Sequence, residues 1–231
     1  MTRGAFFKGM RDGAPFLIVI VPFGMLFGVA AREAGWDIAQ IIGMSVLVVA
    51  GASQFTALQL LQDQAPTLIV ILTATAVNLR HAMYSASIAP HLGPLPLWRR
   101  ALVAYALVDQ TYGAAMNRYA LEPQMSHREK AAYFAGVATQ TCGVWYLASV
   151  AGAVIGSGLP PALALDFAVP VAFISLFAPA LRSLPHLAAA LVSAAGALAL
   201  AAIPYGLGLI AAAGAAMATG AAVEIWQERQ R

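Results

Sequence analysis

The chain has little charge and almost no cysteine. Only 10% of its 231 residues are charged and 61% are hydrophobic, whereas roughly a quarter of the residues in a soluble domain are charged. This composition excludes an ordinary water-soluble fold and is typical of a polytopic membrane protein. The single cysteine, Cys142, excludes an intrachain disulfide and a metal site of the usual Cys/His type.

The sequence also lacks the short motifs that mark common enzyme chemistry. It has no phosphate-binding glycine loop, no metal-ligand spacing and no nucleophile elbow. We therefore expect neither an enzyme, nor a bound cofactor, nor ATP-driven pumping by this chain alone. The net charge is only +3, and the basic residues flank apolar runs. They indicate orientation in a lipid bilayer and not nucleic-acid binding.

Apolar runs long enough to cross a bilayer recur along the whole chain. They predict an all-α polytopic membrane protein with a single transmembrane transport domain over residues 1–231. The eight predicted spans are Ala14–Ala31, Ile38–Leu61, Pro66–Pro90, Ala101–Asn117, Ala131–Ile155, Ala162–Leu181, Leu187–Ile203 and Tyr205–Val223. Only Pro204 and Gly206 separate the last two, so seven spans are the alternative. The first span has the charge order of a signal sequence, but Pro22 and Gly24 interrupt it and more spans follow, so we expect it to be retained.

Charge asymmetry indicates how these spans are oriented in the membrane. Cytoplasmic segments should carry an excess of Lys and Arg. With eight spans and both termini in the cytoplasm, the basic residues on the cytoplasmic side are Arg3, Lys8, Arg11, Arg118, Arg128, Lys130, Arg182, Arg229 and Arg231. The outer segments hold only Arg32, Arg99 and Arg100. The Arg99–Arg100 pair is the exception to the rule in this arrangement.

The third predicted span contains polar and ionisable residues, which are energetically unfavourable inside a membrane. An ionisable side chain at membrane depth costs on the order of 3 kcal/mol on insertion scales, yet the stretch Asn78–Ser85 carries Arg80 and His81. At helical spacing Asn78, His81 and Ser85 share one face. The residues indicate a transport pathway, a proton relay or a buried ion pair. The alternative is a polar seam that only holds helices together.

Asp109 is the acidic residue placed well inside a predicted span. A carboxylate in a low-dielectric medium favours its protonated form unless a cation pairs with it. Two hypotheses follow: a proton-coupling site, to which we also assign His81, or a fixed ion pair with Arg80. The two are compatible if substrate or a proton breaks the pair.

The second and fifth predicted spans contain further small and polar residues. Ala50–Thr56 would allow the helix backbone to open, or a neighbouring helix to pack closely. Ser53–Leu58 also resembles Ser175–Ala180 faintly, which reflects either a weak internal repeat or a chance match in an alanine-rich chain. The candidate substrate-binding residues are Ser53, Gln54, Phe55, Asn78, Arg80, Tyr84, Tyr112 and Trp145. Helix packing is the alternative role for each of them.

Four ordered motifs carry a family resemblance. They are Pro22-Phe23-Gly24 with Phe27-Gly28, then Ala50–Phe55, then Asn78–His81 with Tyr84-Ser85, and finally Asp109–Gly113. Together they resemble the AzlC family of branched-chain amino acid exporters. The resemblance implies the large subunit of a two-component exporter, with a small AzlD-type membrane subunit as partner. It implies leucine, isoleucine and valine as substrates, and methionine in some members.

Two other classes of function stay open at this point. The same polar residues could line a channel or another ion-conducting pore, which would not show saturable exchange of amino acids. A non-transporting assembly subunit would bind no ligand at all. Saturable transport by the purified protein with its partner separates these classes.

Overall fold

The computed structural model describes residues 2–156, 181, 183–203 and 207–230. Every regular element in these residues is helical, which confirms the all-α class. The described helices are α1 (Thr2–Gly13), α2 (Leu17–Glu33), α3 (Ile38–Leu47), α4 (Gly51–Gln62), α5 (Thr67–Val77), α6 (Arg80–Leu92), α7 (Leu97–Tyr105), α8 (Asp109–Leu121), α9 (His127–Gly156), α10 (Leu184–Ala199) and α11 (Leu207–Arg229). A 3-10 turn at Ala14–Phe16 joins α1 to α2.

Three helical stretches are long and apolar enough to cross a membrane: Thr2–Glu33, His127–Gly156 and Leu207–Arg229. Shorter apolar helices lie between them. The predicted span Ala162–Leu181 and the second half of the predicted repeat, Ser175–Ala180, lie outside the described residues apart from Leu181.

The described residues fall into two compact units. The first contains α1 to α3, the start of α4 up to Phe55, and Val77 through α9. The second contains Thr56–Ala76 with α10 and α11. The prediction of one domain over the whole chain is not decided by this division and stays a prediction.

In the first unit, the α1–α2 stretch runs parallel to α9 in backbone contact. A Cβ at Gly28 would lie 2.0 Å from the carbonyl oxygen of Ser149, and one at Gly152 would lie 2.0 Å from that of Met25. Nearer the start of both helices, a Cβ at Gly136 would lie 2.0 Å from the carbonyl oxygen of Phe6. Only glycine allows such an approach, as at other helix interfaces in membranes.

In the second unit, α10 and α11 are separate helices that pack antiparallel. Gly208 lies against Leu200 and Gly196 lies against Ala212. The last two predicted segments are therefore two helices, divided between Ala199 and Leu207. Small residues mediate this contact, as is common where helices pack in membranes.

Three predicted spans are interrupted, which corrects their prediction as continuous helices. Ile38–Leu61 breaks at 48–50, Pro66–Pro90 breaks at 78–79, and Ala101–Asn117 breaks at 106–108. The first and third breaks have the same geometry. In each, the last N–H bonds to the carbonyl two residues earlier, Ala50 to Val48 at 2.9 Å and Val108 to Ala106 at 3.1 Å. This is the hydrogen bond of a three-residue γ-turn, which cannot continue a helix.

The helices α7 and α8 form a hairpin, as the directions of the neighbouring helices show. Near the starts of α6 and α8 the Tyr84 and Tyr112 rings stack with centroids 4.3 Å apart, and near their ends the His91 and Tyr119 rings lie 5.0 Å apart. The helices α6 and α8 therefore run parallel. His127 Nδ1 also lies 2.8 Å from the carbonyl oxygen of His91. The end of α6 and the start of α9 therefore share one end of the unit.

This contact corrects the prediction that Ala101–Asn117 is a single crossing. The chain leaves the α6 end of the unit in α7 and returns to it in α8. Arg99 and Arg100 consequently lie on the same side as the 117–130 loop and not opposite to it. Hydropathy alone did not separate a hairpin from a span because both place apolar residues at membrane depth.

The helices α3 and α4 also change direction at their break. Gln54 Nε2 lies 3.4 Å from Ser45 Oγ, although nine residues of straight helix would separate them by about 13 Å. Gly51 lies against Trp145 and Phe23. The Phe55 ring packs on Phe23 and Phe27, with centroids 5.0 and 5.6 Å apart. From its start, α4 therefore runs towards the end of α2, where α3 begins.

The two hairpins have matching dimensions and opposite directions. Each follows a helix through a four-residue linker, 34–37 or 93–96. The first helices have 10 and 9 residues and the second have 12 and 13, with a three-residue break in each. At the breaks the hairpins touch, because the Tyr105 hydroxyl donates to the Val46 carbonyl at 2.6 Å. The arrangement is an inverted pair, distinct from the repeat predicted between Ser53–Leu58 and Ser175–Ala180.

Ion pairs fix the ends of α1, α8 and α9 to one another. Lys8 Nζ lies 2.6 Å from Glu122 Oε1, and Arg118 pairs with both Glu122 and Asp12. The Tyr133 hydroxyl donates to Asp12 Oδ2 at 2.9 Å. The hydrogen bond from Lys8 lowers the pKa of the Glu122 carboxyl, so this network is ionised at neutral pH. The amino-terminal helix and the 117–130 loop therefore lie on one side, as the charge asymmetry predicted.

The hairpin assignment predicts which loops share a side. In a Cys142→Ala background, Pro94→Cys and Ser126→Cys should respond alike to a membrane-impermeant thiol reagent, and Glu33→Cys should respond oppositely. Because basic residues favour the cytoplasm, intact cells should protect the first two and expose the third. Modification of Pro94→Cys together with Glu33→Cys, but not Ser126→Cys, would restore the continuous span.

The backbone contact between α2 and α9 predicts a large effect of one methyl group. Gly28→Ala should lower the free energy of unfolding by about 1–3 kcal/mol because the new Cβ overlaps the Ser149 carbonyl. Gly43→Ala is the matched control, since no atom lies within 4 Å of its Cβ position and alanine favours a helix by about 0.5–1 kcal/mol over glycine. Thermal unfolding in detergent measures both. Equal shifts for the two variants would contradict the assigned contact.

Candidate functional site

A charged site lies where α6 and α8 begin. Arg80 is the first residue of α6 and Asp109 is the first residue of α8. Since the two helices run parallel, their amino-terminal ends lie side by side. Arg80 Nη1 lies 3.0 Å from Asp109 Oδ2, with side-chain exposures of 23% and 36%. The predicted ion pair is thus confirmed, but Asp109 starts a helix after a break and does not lie within a continuous span.

Aromatic side chains hold the carboxylate in place. The Tyr84 hydroxyl donates to Asp109 Oδ1 at 2.8 Å, so each carboxylate oxygen has its own donor. The Tyr84 ring stacks on Tyr112 at an interplanar angle of 13°, and the Tyr112 hydroxyl donates to Ser87 Oγ at 2.9 Å. The contacts from Arg80 and Tyr84 fix the orientation of the Asp109 carboxylate between α6 and α8.

Three buried polar atoms beside the ion pair have no hydrogen-bond partner among the described residues. They are Asn78 Oδ1, Arg80 Nε and His81 Nε2. A buried polar atom without a partner costs about 1–3 kcal/mol, so such a group is the natural contact of a ligand or an ordered water. Their chemistry suits a dipolar ligand: Arg80 donates to an anion, while Asn78 and Asp109 accept from a cation.

The other predicted residues form a second cluster around the start of α4. Trp145 stacks near Phe27 with centroids 6.3 Å apart, and Phe55 joins them through Phe23. Ser53 and Gln54 are fully buried. The predicted substrate-binding set is therefore distributed over two clusters: Asn78, Arg80, Tyr84 and Tyr112 at the ion pair, and Ser53, Gln54, Phe55 and Trp145 in the aromatic core.

Met83 lies between Arg80 and Tyr84 in α6 but does not contribute to the site. Its side chain is 66% exposed. Among the described residues, no group of three His, Cys, Asp or Glu side chains is arranged to hold a metal ion.

The sequence interpretation missed the residues that stabilise the breaks. The Thr111 hydroxyl accepts from the Val108 N–H at 2.9 Å and lies 2.7 Å from the Ala106 carbonyl, to which it donates. Tyr105 contacts both Val46 and the hydroxyl of Tyr146. A threonine three residues after an apolar break is the signal that was available, since it resembles a helix-capping pattern.

The ion pair predicts a non-additive double-mutant cycle. Arg80→Ala and Asp109→Ala should each lower stability by about 1–3 kcal/mol because each strands a charge; both side chains are partly exposed, so the effect should be smaller than for a fully buried pair. The double variant should be no less stable than either single variant. Unfolding temperatures of the four proteins measure the coupling, and additive losses would separate the two residues.

The part of the chain that contains this site matches a known protein family. The family described as AzlC protein matches residues 15–159, which include every interrupted helix of the first unit. The inner membrane protein YgaZ of Escherichia coli is 30% identical over 210 residues, covering 87% of this chain and 84% of that protein.

Two further relatives carry less specific names. An uncharacterized membrane protein of Helicobacter pylori is 30% identical over 177 residues, covering 74% of this chain and 75% of that protein. One of Archaeoglobus fulgidus is 30% identical over 200 residues, covering 86% of each. No solved structure shows a significant match. With the Arg80–Asp109 site and both hairpins inside the matched range, the chain belongs to the AzlC family of membrane proteins.

Proposed function

We propose that the protein is a proton-coupled secondary exporter of branched-chain amino acids. The observation that carries this proposal is the Arg80–Asp109 ion pair, which lies between two helix amino termini beside three unpartnered polar atoms. Membrane transporters commonly bind anionic groups at the amino termini of interrupted helices. The substrate class rests on the family, whose members are exporters of leucine, isoleucine and valine.

The ion pair supplies a route for coupling protons to substrate. The Asp109 carboxylate can pair with Arg80 or with the ammonium group of an amino acid whose carboxylate binds Arg80. When Asp109 takes up a proton from outside the cell it loses its negative charge, so the ammonium group loses its partner and the substrate is released on that side. Loss of the proton to the cytoplasm restores the carboxylate, which can then bind the next substrate. Proton and substrate thus exclude each other at Asp109, as exchange of one for the other requires.

The ammonium group of the substrate needs an acceptor on the same site. Asn78 Oδ1 is buried and has no hydrogen-bond partner in the described part of the chain, and it lies two residues before Arg80. His81 Nε2 likewise has none among those residues, and we assign it a role in proton transfer to Asp109. The stacked rings of Tyr84 and Tyr112 provide an apolar surface for an aliphatic side chain.

The inverted hairpins support a transport mechanism in which the core of the first unit opens alternately. Opposed repeats that meet near the middle of the membrane are the usual framework of secondary transporters. Here the contact between Tyr105 and Val46 closes the space between the hairpins. Its separation would open a path from one side to the site at Asp109.

A small AzlD-type subunit is the partner we propose, in the bacterial inner membrane with both termini in the cytoplasm. Support comes from the large apolar side chains exposed on the second unit. Leu191 and Leu198 of α10 are 71% and 79% exposed, and Met217 of α11 is 69% exposed. Lipid also satisfies such a surface, and so does a second copy of the chain.

The proposed coupling predicts the phenotype of Asp109→Asn. The amide cannot ionise, so leucine transport driven by a pH gradient should fall at least tenfold, whereas exchange of leucine across the membrane should persist. Asp63→Asn, in an exposed loop, is the matched control and should transport normally. The assay is leucine flux in proteoliposomes containing this chain with and without the small subunit.

Each outcome of this assay decides part of the proposal. Gradient-driven accumulation by Asp109→Asn would refute proton coupling at this residue. Leucine flux that does not saturate would favour a channel, and absence of flux or ligand binding in the complex would favour an assembly subunit. Full activity without the small protein would refute the two-component arrangement.

A further inference from the structure

A long groove separates α7 from α9 in the first unit. Its volume is about 940 Å³. Arg99 and Arg128 line one end, and Tyr105 and Tyr146 line the other. None of these residues belongs to the Arg80–Asp109 site, and the proposed transport mechanism uses only Tyr105 among them, through its contact with Val46.

The charge of the groove is concentrated at one end. Within the described part of the chain, neither Arg99 nor Arg128 forms an ion pair. Arg99 lies over the Trp98 ring at 4.9 Å, and Trp98 is 60% exposed. Tryptophan and arginine are enriched where the hydrocarbon of a bilayer meets the headgroups. This end of the groove therefore has the composition of an interface, with two positive charges to be neutralised.

The remaining length of the groove is apolar. Its α9 wall consists mainly of small residues, namely Ala131, Ala132, Ala135, Ala138, Thr139, Cys142 and Gly143. This wall offers apolar surface to the acyl chains of a lipid, and the two arginines lie at the end where its headgroup would be.

We propose that this groove binds an anionic phospholipid. The phosphate lies between Arg99 and Arg128, and the acyl chains lie along the alanine wall of α9 towards Tyr146. Basic pockets between transmembrane helices bind anionic headgroups in this way. Because α7 leads directly into the Tyr105–Val46 contact, the lipid holds the α7 hairpin against α9.

The test compares lipids retained by the purified full-length protein. Native mass spectrometry after mixing with phosphatidylglycerol or phosphatidylcholine should show preferential retention of phosphatidylglycerol, at least fivefold. The double variant Arg99→Gln with Arg128→Gln should lose this preference. Arg229→Gln, at the end of α11, is the control for a surface arginine and should keep it.

A second variant tests the apolar part of the groove without changing charge. Ala135→Leu should fill the groove and reduce retention of phosphatidylglycerol, whereas Ala213→Leu, an exposed position on α11, should not. Equal retention of the two lipids by the unmodified protein would overturn the proposal. So would unchanged preference in the arginine double variant, or unchanged retention in a correctly folded Ala135→Leu protein.

Discussion

The constraint that shapes this molecule is the need to satisfy backbone polar groups where a helix stops inside an apolar segment. Hydrocarbon offers no hydrogen-bond partner, so each interrupted helix needs one from the protein. At 106–108 the Thr111 hydroxyl accepts from one amide and donates to a carbonyl. At the end of α3 the Tyr105 hydroxyl donates to the Val46 carbonyl. The second hairpin thus supplies a donor to the end of α3 in the first, which places the two breaks together.

The parallel contact of α1–α2 with α9 sets where the hairpins lie. The two stretches begin at the same end of the first unit, so the chain from Glu33 to His127 has to return from one end to the other. The Lys8–Glu122 and Asp12–Arg118 pairs hold the end of α8 against α1 at the end of the unit where α9 begins. The glycine contacts at Gly28 and Gly152 leave no room for sliding. The hairpins pack against this pair, through Gly51 on Trp145 and Phe23 and through Tyr105 on Tyr146.

The sequence predicted where the apolar helices lie better than the points at which the chain reverses direction. Apolar runs correctly located α2, α9 and α11, and the rarity of charge at depth correctly paired Arg80 with Asp109. The breaks were not predictable from hydropathy, because Val48–Ala50 and Ala106–Val108 are apolar themselves. The backbone polar groups beside these breaks are satisfied by Tyr105 and Thr111. Tyr105 is far from the first break in the sequence, and Thr111 is an ordinary residue in its segment. The positive-inside rule already favoured the hairpin, because Arg99 and Arg100 are exceptions to it in the eight-span arrangement but not in the hairpin arrangement.

The two hairpins show how one framework provides two different functions. Gly51 begins α4 and Asp109 begins α8, each directly after a γ-turn. Two residues later come Ser53 and Thr111, both fully buried. The framework is alike, but the first residue differs. Glycine lets Trp145 and Phe23 approach the start of α4, which makes that hairpin part of the aromatic core.

Aspartate at the corresponding place in α8 leaves no such packing and brings a charge instead. That charge is paired with Arg80 at the start of α6. The interruption at 78–79 is slighter than the other two, since Leu79 keeps helical dihedral angles and the His81 N–H bonds to the Asn78 carbonyl at 2.9 Å. One hairpin contributes the packed core, and the other contributes the ionisable site on which exchange between a proton and a substrate depends.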